Sequence, residues 1–490
     1  MDSTALKGIR HFRQGLYGCF ERAADALRDA CDALLTQSEA RSFAELSLSP
    51  CFRRGWASLY EALEDAQVER STLRRVFAEA LPLPAPGERR VLGIDASPIV
   101  RAQSHTAKDR TYVHTQEAPH RQGKSQSPNG QRRLDAVGAG WNFSALAVLP
   151  RTPSSWTYLL DNQRIPSSQT PGQVVSEQLA AIVPLLAAGS DLAAGSDSAS
   201  ADSDALPAVC LPALLPVLVG DRYYGSATFV AATSQVACDK LLRIQSHRVF
   251  YRRAPPCTGQ RGAPRKDGAR FKCSDSSTHG PPDQQWQGAD SKGQQVQVSC
   301  WQGLHFQKCR AVELSVLRVV RHSARDTKRD PRESWFIWVF GALKAEAVEV
   351  SEAVEAAPVP LAEIVSLYGL RFSLEHGFRF EKQSLLWDKP RLRSPEQFER
   401  WTEVVAAVHN QLVLARPLIQ AQRQPWERPH STRAVTPQQV RRAMGRIITE
   451  LGTPARPPQP RGKSPGRKKG AIIKKSTRFP VVYKAADRKI

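Results

Sequence analysis

The sequence predicts an α/β protein: a mixed sheet flanked by helices, interrupted by a β-rich insertion and preceded by a helical domain. Three observations carry that expectation. Apolar residues recur at helical intervals over 9–87, short apolar runs bounded by turn residues take over from Val91, and helical patterns return after Leu361. The 490 residues suffice for a large core and two or three domains. Hydrophobic types make up 41 %, and ten Trp with seventeen Phe exclude general disorder.

LYGCFERAADALRDACDALL and GWASLYEALEDAQVERSTLRRVFAEAL predict the helices of a domain over 1–88. Between them, Arg53 and Arg54 in SPCFRRGW either belong to the bundle or contact a DNA end, since small helical domains with exposed arginines often read DNA. LPLPAPGERR at 81–90 reads as a stiff linker. VLGIDASPIV, GWNFSALAVLP and SWTYLLDNQRIP then predict three strands. Gln173–Leu186 reads as a helix, and 187–205, which repeats AAGSD, as a flexible low-complexity insertion. LPVLVG is a fourth strand, Ser226–Thr233 a short helix and Cys238–Gln245 a fifth strand. This β-β-β-α-β-α-β order brings Asp95 and Asp221, at the ends of the first and fourth strands, together if those strands are neighbours. The central domain is expected over 89–246 and 331–425, around a β-rich inserted subdomain at 247–330. SWFIWVFG (334–341) returns as a buried strand, followed by helices at 361–387 and 395–416. Residues 426–490 form a basic, partly disordered tail, with a helix at 436–451 and the stretch PARPPQPRGKSPGRKKG disordered when free.

The formal charge is +22, and 421–490 holds eighteen Lys or Arg against three acids, or +15 of that total. Such a balance favours a polyanionic partner. Nine widely spaced cysteines suit a reducing compartment, and MDSTALKGIRHF lacks the apolar core of a secretory leader. No run reaches the roughly 18 apolar residues of a membrane span. The expectation is a soluble intracellular protein with no membrane association.

In LAEIVSLYGLRFSLEHGFRFEKQSLLWDKP, Tyr368, Arg371, Glu375 and Lys382 are spaced by three, four and seven. On a helix these positions return to one side. An amphipathic helix puts Leu or Val on such a stripe, whereas this one sets a carboxylate among a phenol and two cations. That pattern suits a metal and a phosphate beside it. Phosphoryl transfer on DNA needs a nucleophilic oxygen, a stabilised leaving oxygen and shielded phosphate charge, which two divalent cations about 4 Å apart supply. Mg²⁺ takes hard oxygen ligands from carboxylates on different elements. Asp95, Asp221 and Glu375 fit, with Asp95 bridging both ions and each of the others completing one. A lone acid after an apolar run is weak evidence; the joint arrangement points to metal-dependent strand cutting or transfer on DNA.

The four residues form a Tyr-x2-Arg-x3-Glu-x6-Lys signature. With Asp95 and Asp221 upstream, residues 91–425 resemble DDE-type transposases of bacterial insertion sequences, and the helical start is similar to that family's leading domain. The resemblance implies an RNase H-like core and cut-and-paste transposition, in which element ends are cut and their 3′-hydroxyls joined to target DNA. It implies two Mg²⁺ ions, with Mn²⁺ as substitute, and double-stranded DNA with inverted terminal repeats as partner. It also implies target DNA, a homodimer in the synaptic complex, and a bacterial cytoplasmic location at the nucleoid. Rival readings are an RNase H-like nuclease without strand transfer and a catalytically idle DNA-binding derivative.

The resemblance also assigns roles around the acids. Arg371 and Lys382 would hold phosphates, Arg with bidentate contacts and Lys as a point charge; Lys382 could instead pair with Glu381 or Asp388. Tyr368 would bond a phosphate or stack on a sugar. Arg222 would lie near the scissile strand or bridge to a local acid, and Arg101 and His105 are further candidates for DNA contact. Trp286 and Trp301 could receive an extruded base, although Trp301 also suits sheet packing. The open loop at 252–272, with Arg252, Arg253, Arg261, Arg265, Lys266, Arg270 and Lys272, favours backbone contact. Arg467, Lys468, Lys469, Lys474 and Lys475 would add nonspecific phosphate affinity. Cys273, Cys300, His305 and Cys309 lack paired Cys-x2-Cys spacing, which favours buried thiols over zinc.

Overall fold

A computed structural model describes residues 3–85, 87–114, 137–195, 215–256, 263–322, 331–342, 359–419, 435–459, 466–472 and 475–483. The chain begins with five helices: α1 (Ser3–Gly18), α2 (Ala24–Thr36), α3 (Phe43–Leu46), α4 (Ala57–Asp65) and α5 (Arg70–Glu79). Ala26 to Leu35 of α2 are all buried. A helix buried on every side must be surrounded, and α2 packs against α1 and α4, and also against α10 (Pro395–Ala415) and α11 (Pro437–Leu451). The helical start thus shares one apolar core with helices from the far end of the chain. Both late helices begin where Ser394 or Thr436 caps the backbone, reciprocated by Gln397 or Gln439, with Pro at the first turn.

The strands are β1 (Val91–Val100), β2 (Thr111–His114), β3 (Val137–Val148), β4 (Tyr158–Ile165), β5 (Val217–Gly220) and β6 (Asp239–Ile244), then β7 (Val249–Arg252), β8 (Arg270–Lys272), β9 (Gln284–Ala289), β10 (Gln295–Phe306), β11 (Cys309–His322) and β12 (Arg332–Val339). They join one sheet in the order β2-β3-β1-β5-β6-β12-β11-β10-β7-β8, with β4 also on β3 and β9 on β10. β1 runs antiparallel to β3 and parallel to β5, making the sheet mixed as expected. The neighbouring placement of β1 and β5 is what brings Asp95 and Asp221 together. Gly140 allows the β1–β3 approach, since a Cβ there would lie 2.1 Å from the Ile99 carbonyl oxygen.

Alternation sends successive side chains to opposite faces. Leu218 of β5 enters the large helical core while Val217 and Val219 enter a second cluster on the other face. That second cluster is covered by α8 (Ile364–Leu370). A helical region followed by a mixed sheet with helices on its faces is consistent with an RNase H-like core carrying insertions.

Three details differ from the expectations. The strands of the 247–330 insertion extend the main sheet: β11 pairs with β12, and β10, β7 and β8 continue outward. An edge strand's unpaired backbone groups invite this addition. The helix expected to end at Leu186 is α6 (Pro171–Gly195), so part of the AAGSD stretch is helical, as its alanines favour; 196–205 lies outside the described residues. Residues 361–387 form two helices, α8 and α9 (Phe372–Ser384), which meet at Arg371.

Candidate active site

Asp95 lies midway along β1, Asp221 follows the last residue of β5, and Glu375 sits in the first turn of α9. Gly377 lets α9 pack closely, because a Cβ there would come within 2.7 Å of the Thr157 hydroxyl. Arg371 joins two of the acids. Its Nη1 donates to Asp95 Oδ2 at 2.8 Å and its Nη2 to Glu375 Oε1 at 3.0 Å. The Ala96 amide donates to Asp95 Oδ1 at 2.8 Å, and the Tyr223 amide to Asp221 Oδ1 at 2.9 Å.

Burial pushes the Asp95 carboxyl up to about 6, and the charges of Asp221 and Glu375 push the same way, against the opposing pull of Arg371 and the Ala96 amide. Burial by itself would lower the Arg371 guanidinium, but Asp95, Tyr368, Glu375 and Asp221 hold it above its ordinary value. Three acids and one guanidinium therefore form one electrostatic group. Glu375 has 47 % of its side chain exposed against 20 % for Asp95, so the group opens to solvent on the α9 side. The Arg371 Nε is buried and has no hydrogen-bond partner.

Tyr368 is only 7 % exposed, and its ring packs edge-on against Phe336 at 4.8 Å in the second cluster. Its ring face is thus committed to the core and is not free to stack on a sugar. Lys382 Nζ donates to the Pro98 carbonyl at 2.8 Å and lies 5.7 Å from the centre of the Trp387 ring. The two acids considered as its partners are engaged elsewhere, Glu381 with His409 at 2.8 Å and Asp388 with Lys389 at 3.2 Å. Arg222 is exposed and makes no ion pair among the described residues; Arg265 and Lys266 are exposed in their loop. Arg261 and Lys474 lie outside the described residues.

Several further candidates serve the fold. Arg101 is buried, donates to the carbonyls of Val100, Asp388 and Pro390, and stacks over Phe398. Arg53 and Arg54 both bind the buried carboxylate of Asp29 and reach the Arg456 carbonyl. These arginines tie distant segments together, which their local sequence does not disclose. Trp301 is buried, donates to Gly280 and stacks on Trp335 at 6.0 Å, whereas Trp286 is half-buried on β9. Burial pushes the thiols of Cys273 and Cys300 up to about 12, and both ring nitrogens of His305 face backbone carbonyls. His105 is exposed, and its carbonyl accepts from the Phe479 amide.

The site also contains a residue not anticipated from the sequence. Tyr224 is fully buried, and burial, then Asp95 and Asp221, raises its phenol well above the ordinary value. Its position three residues after Asp221, in GDRYYG, is the one signal that could have found it.

The three carboxylates are the hard oxygen donors that Mg²⁺ takes. Their geometry does not suit an ion as it stands. Arg371 bridges Asp95 and Glu375, and among the described residues no three acid, His or Cys groups are arranged to hold a metal. No helix among the described residues is long and apolar enough to cross a membrane.

No curated protein matches the chain significantly. A family model described as DDE superfamily endonuclease matches residues 15–305, more than half of the chain. That span holds α2 to α5, Asp95 and Asp221, and stops before Glu375. By its fold and this match, the chain belongs to the DDE superfamily of endonucleases.

Proposed function

We propose that the protein is a DNA transposase that cuts the ends of an element and joins their 3′-hydroxyls to target DNA. The observation that carries this reading is the shared electrostatic group: Asp95 and Glu375 on one guanidinium, with Asp221 close enough to raise Asp95. Acids from β1, the end of β5 and a helix, gathered around one guanidinium at a partly open site, suit attack on a phosphodiester better than a structural role.

The proposed metal is Mg²⁺, as two ions with Mn²⁺ as substitute; such ions supply a lowered water pKa and shield phosphate charge. Asp95, Asp221 and Glu375 are the proposed ligands, which requires Arg371 to release its carboxylates. Arg371 has a natural alternative, because a guanidinium binds phosphate oxygens in the same forked way as carboxylate. Its buried, unpartnered Nε adds a donor for that contact. Lys382, held against the Pro98 carbonyl on the Asp95 strand, is proposed to place a second cation by the scissile phosphate. Tyr368 supports Arg371 from the core, with the guanidinium 5.9 Å from its ring centre; any phosphate contact it makes would come through its hydroxyl. Arg222, Arg265 and Lys266 are proposed to contact the DNA backbone. The partners are duplex DNA bearing inverted terminal repeats, a target duplex and a second copy of the chain at synapsis.

The test is excision and joining by purified protein with Mg²⁺. The substrate is an element carried with its flanks and both terminal repeats. Release of the element and a joined product in a second duplex are expected. Nicked or degraded fragments alone, whatever ends are offered, would replace this reading with that of a nuclease.

A further inference from the structure

The described part of the C-terminal tail is not loose. Phe479 donates its amide to the His105 carbonyl at 2.8 Å, and Val482 donates to the Arg110 carbonyl at 2.7 Å. Arg110 Nη2 returns a bond to the Phe479 carbonyl at 2.9 Å. Val482 forms a parallel bridge with Thr111 of β2, the strand at the end of the sheet order. The rings of Tyr483 and Tyr112 meet at 5.1 Å, and Lys108 sits 5.5 Å from the Phe479 ring centre. Phe-Pro-Val-Val-Tyr is a short apolar run, and the open edge of β2 supplies unpaired backbone groups to receive it.

The residues leading into this anchor are strongly basic. Arg467, Lys468, Lys469, Lys475 and Arg478 are all exposed, and no ion pair among the described residues engages them. No acid occurs between Glu450 and Asp487 to neutralise them. A free tail of this composition would sweep through solvent. This one has its far end fastened to the sheet.

The anchor has a defined relation to the acids. Val482 faces Thr111, Thr111 pairs with Gly140, and Gly140 pairs with Val100 on the strand that carries Asp95. Five residues along β1 span about 17 Å, and three strand spacings about 14 Å, so the anchor lies roughly 22 Å from Asp95. At about 3.4 Å per base pair, that is the length of about six base pairs. One duplex can therefore meet both the acids and the tail.

We infer that the C-terminal tail is a strap, fastened to the edge of β2, that holds its five exposed cations against the backbone of the DNA duplex whose phosphodiester occupies the acid site. The strap rests on the DNA reading above and adds a second contact surface to it. Its contribution is electrostatic and independent of base sequence, because exposed Lys and Arg on an extended segment meet phosphates and not base edges.

The test measures binding of the full chain to a mixed-sequence 30-base-pair duplex across a salt series, which requires no cutting. Replacing all five cations by Gln should make the slope of log affinity against log salt shallower by about 4.5, at about 0.9 for each phosphate that is no longer neutralised. Val482→Pro removes the amide that donates to Arg110 without changing charge, and Phe479→Ala removes the ring under Lys108. Each should weaken binding several-fold at physiological salt while the melting temperature stays near that of the parent. An unchanged slope in the five-Gln variant overturns the strap and leaves the cleavage reading standing. Parental affinity in both anchor variants overturns the fastening. Tail-dependent binding by a chain that cuts no DNA sinks the cleavage reading alone, and no duplex binding by the intact chain overturns both.

Discussion

Arg371→Ala should move metal binding and DNA cutting in opposite directions. In the structure the guanidinium donates to Asp95 at 2.8 Å and to Glu375 at 3.0 Å, so a cation shared by these acids must first displace it. A hydrogen bond to a charged group contributes about 1.5–3 kcal/mol net. Glu375 is half exposed, and solvent screens most of its share. Counting only the more buried Asp95 contact, removal of Arg371 relieves about 1.5–3 kcal/mol of competition. That corresponds to roughly 10- to 150-fold tighter divalent-cation binding, and loss of the guanidinium's own positive charge acts in the same sense. Titration of Mn²⁺ followed by electron paramagnetic resonance, with Mg²⁺ competition, reads the affinity directly on protein without DNA. Cutting by the same variant should fall, because the proposed phosphate clamp is gone. A variant that melts like the parent yet binds Mn²⁺ no more tightly would refute the displacement argument.

Further predictions concern other residues. Asp95→Asn and Asp221→Asn should each abolish cutting while duplex affinity stays within about twofold; loss of binding together with a collapsed melting transition would mark them as structural. Burial, together with Asp161 and Glu399, lifts the Glu403 carboxyl from its ordinary 4.5 to about 7 despite its pairing with Arg70. A raised folded-state value gives stability that is fully present below pH 4.5 and lost as pH rises through 7, so Glu403→Gln should flatten the stability–pH curve across that window. An unaltered curve in urea titrations at several pH values contradicts it. Arg441 is buried and donates to the carbonyls of Leu34, Ser384 and Gln37 at 2.7, 2.7 and 2.8 Å. Arg441→Met keeps the volume but orphans those carbonyls, which should cost about 2–4 kcal/mol in denaturant unfolding followed by tryptophan emission.

Local sequence sets the individual elements and marks out the candidate acids. The short apolar runs in VLGIDASPIV and LPVLVG, and the capping pairs Ser394–Gln397 and Thr436–Gln439, are properties that neighbouring residues impose on one another. The three, four and seven spacing likewise singles out Arg371, Glu375 and Lys382 without any fold. Pairings between residues far apart in the chain emerge only once the chain is folded. Arg371 and Asp95 are separated by 276 positions, and nothing near either one states that they bond. Locally Arg53 and Arg54 fit either a bundle or a DNA contact, and Arg101 a DNA contact, yet Asp29 and distant carbonyls claim them. The strands of 247–330 read as a subdomain of their own because a sequence does not say which sheet edge a strand will join, and β11 takes the edge of β12. The fastening of Phe479 and Val482 goes unread for the same reason: their partner is the backbone around β2, and a main-chain hydrogen bond leaves no mark on the residue types that make it.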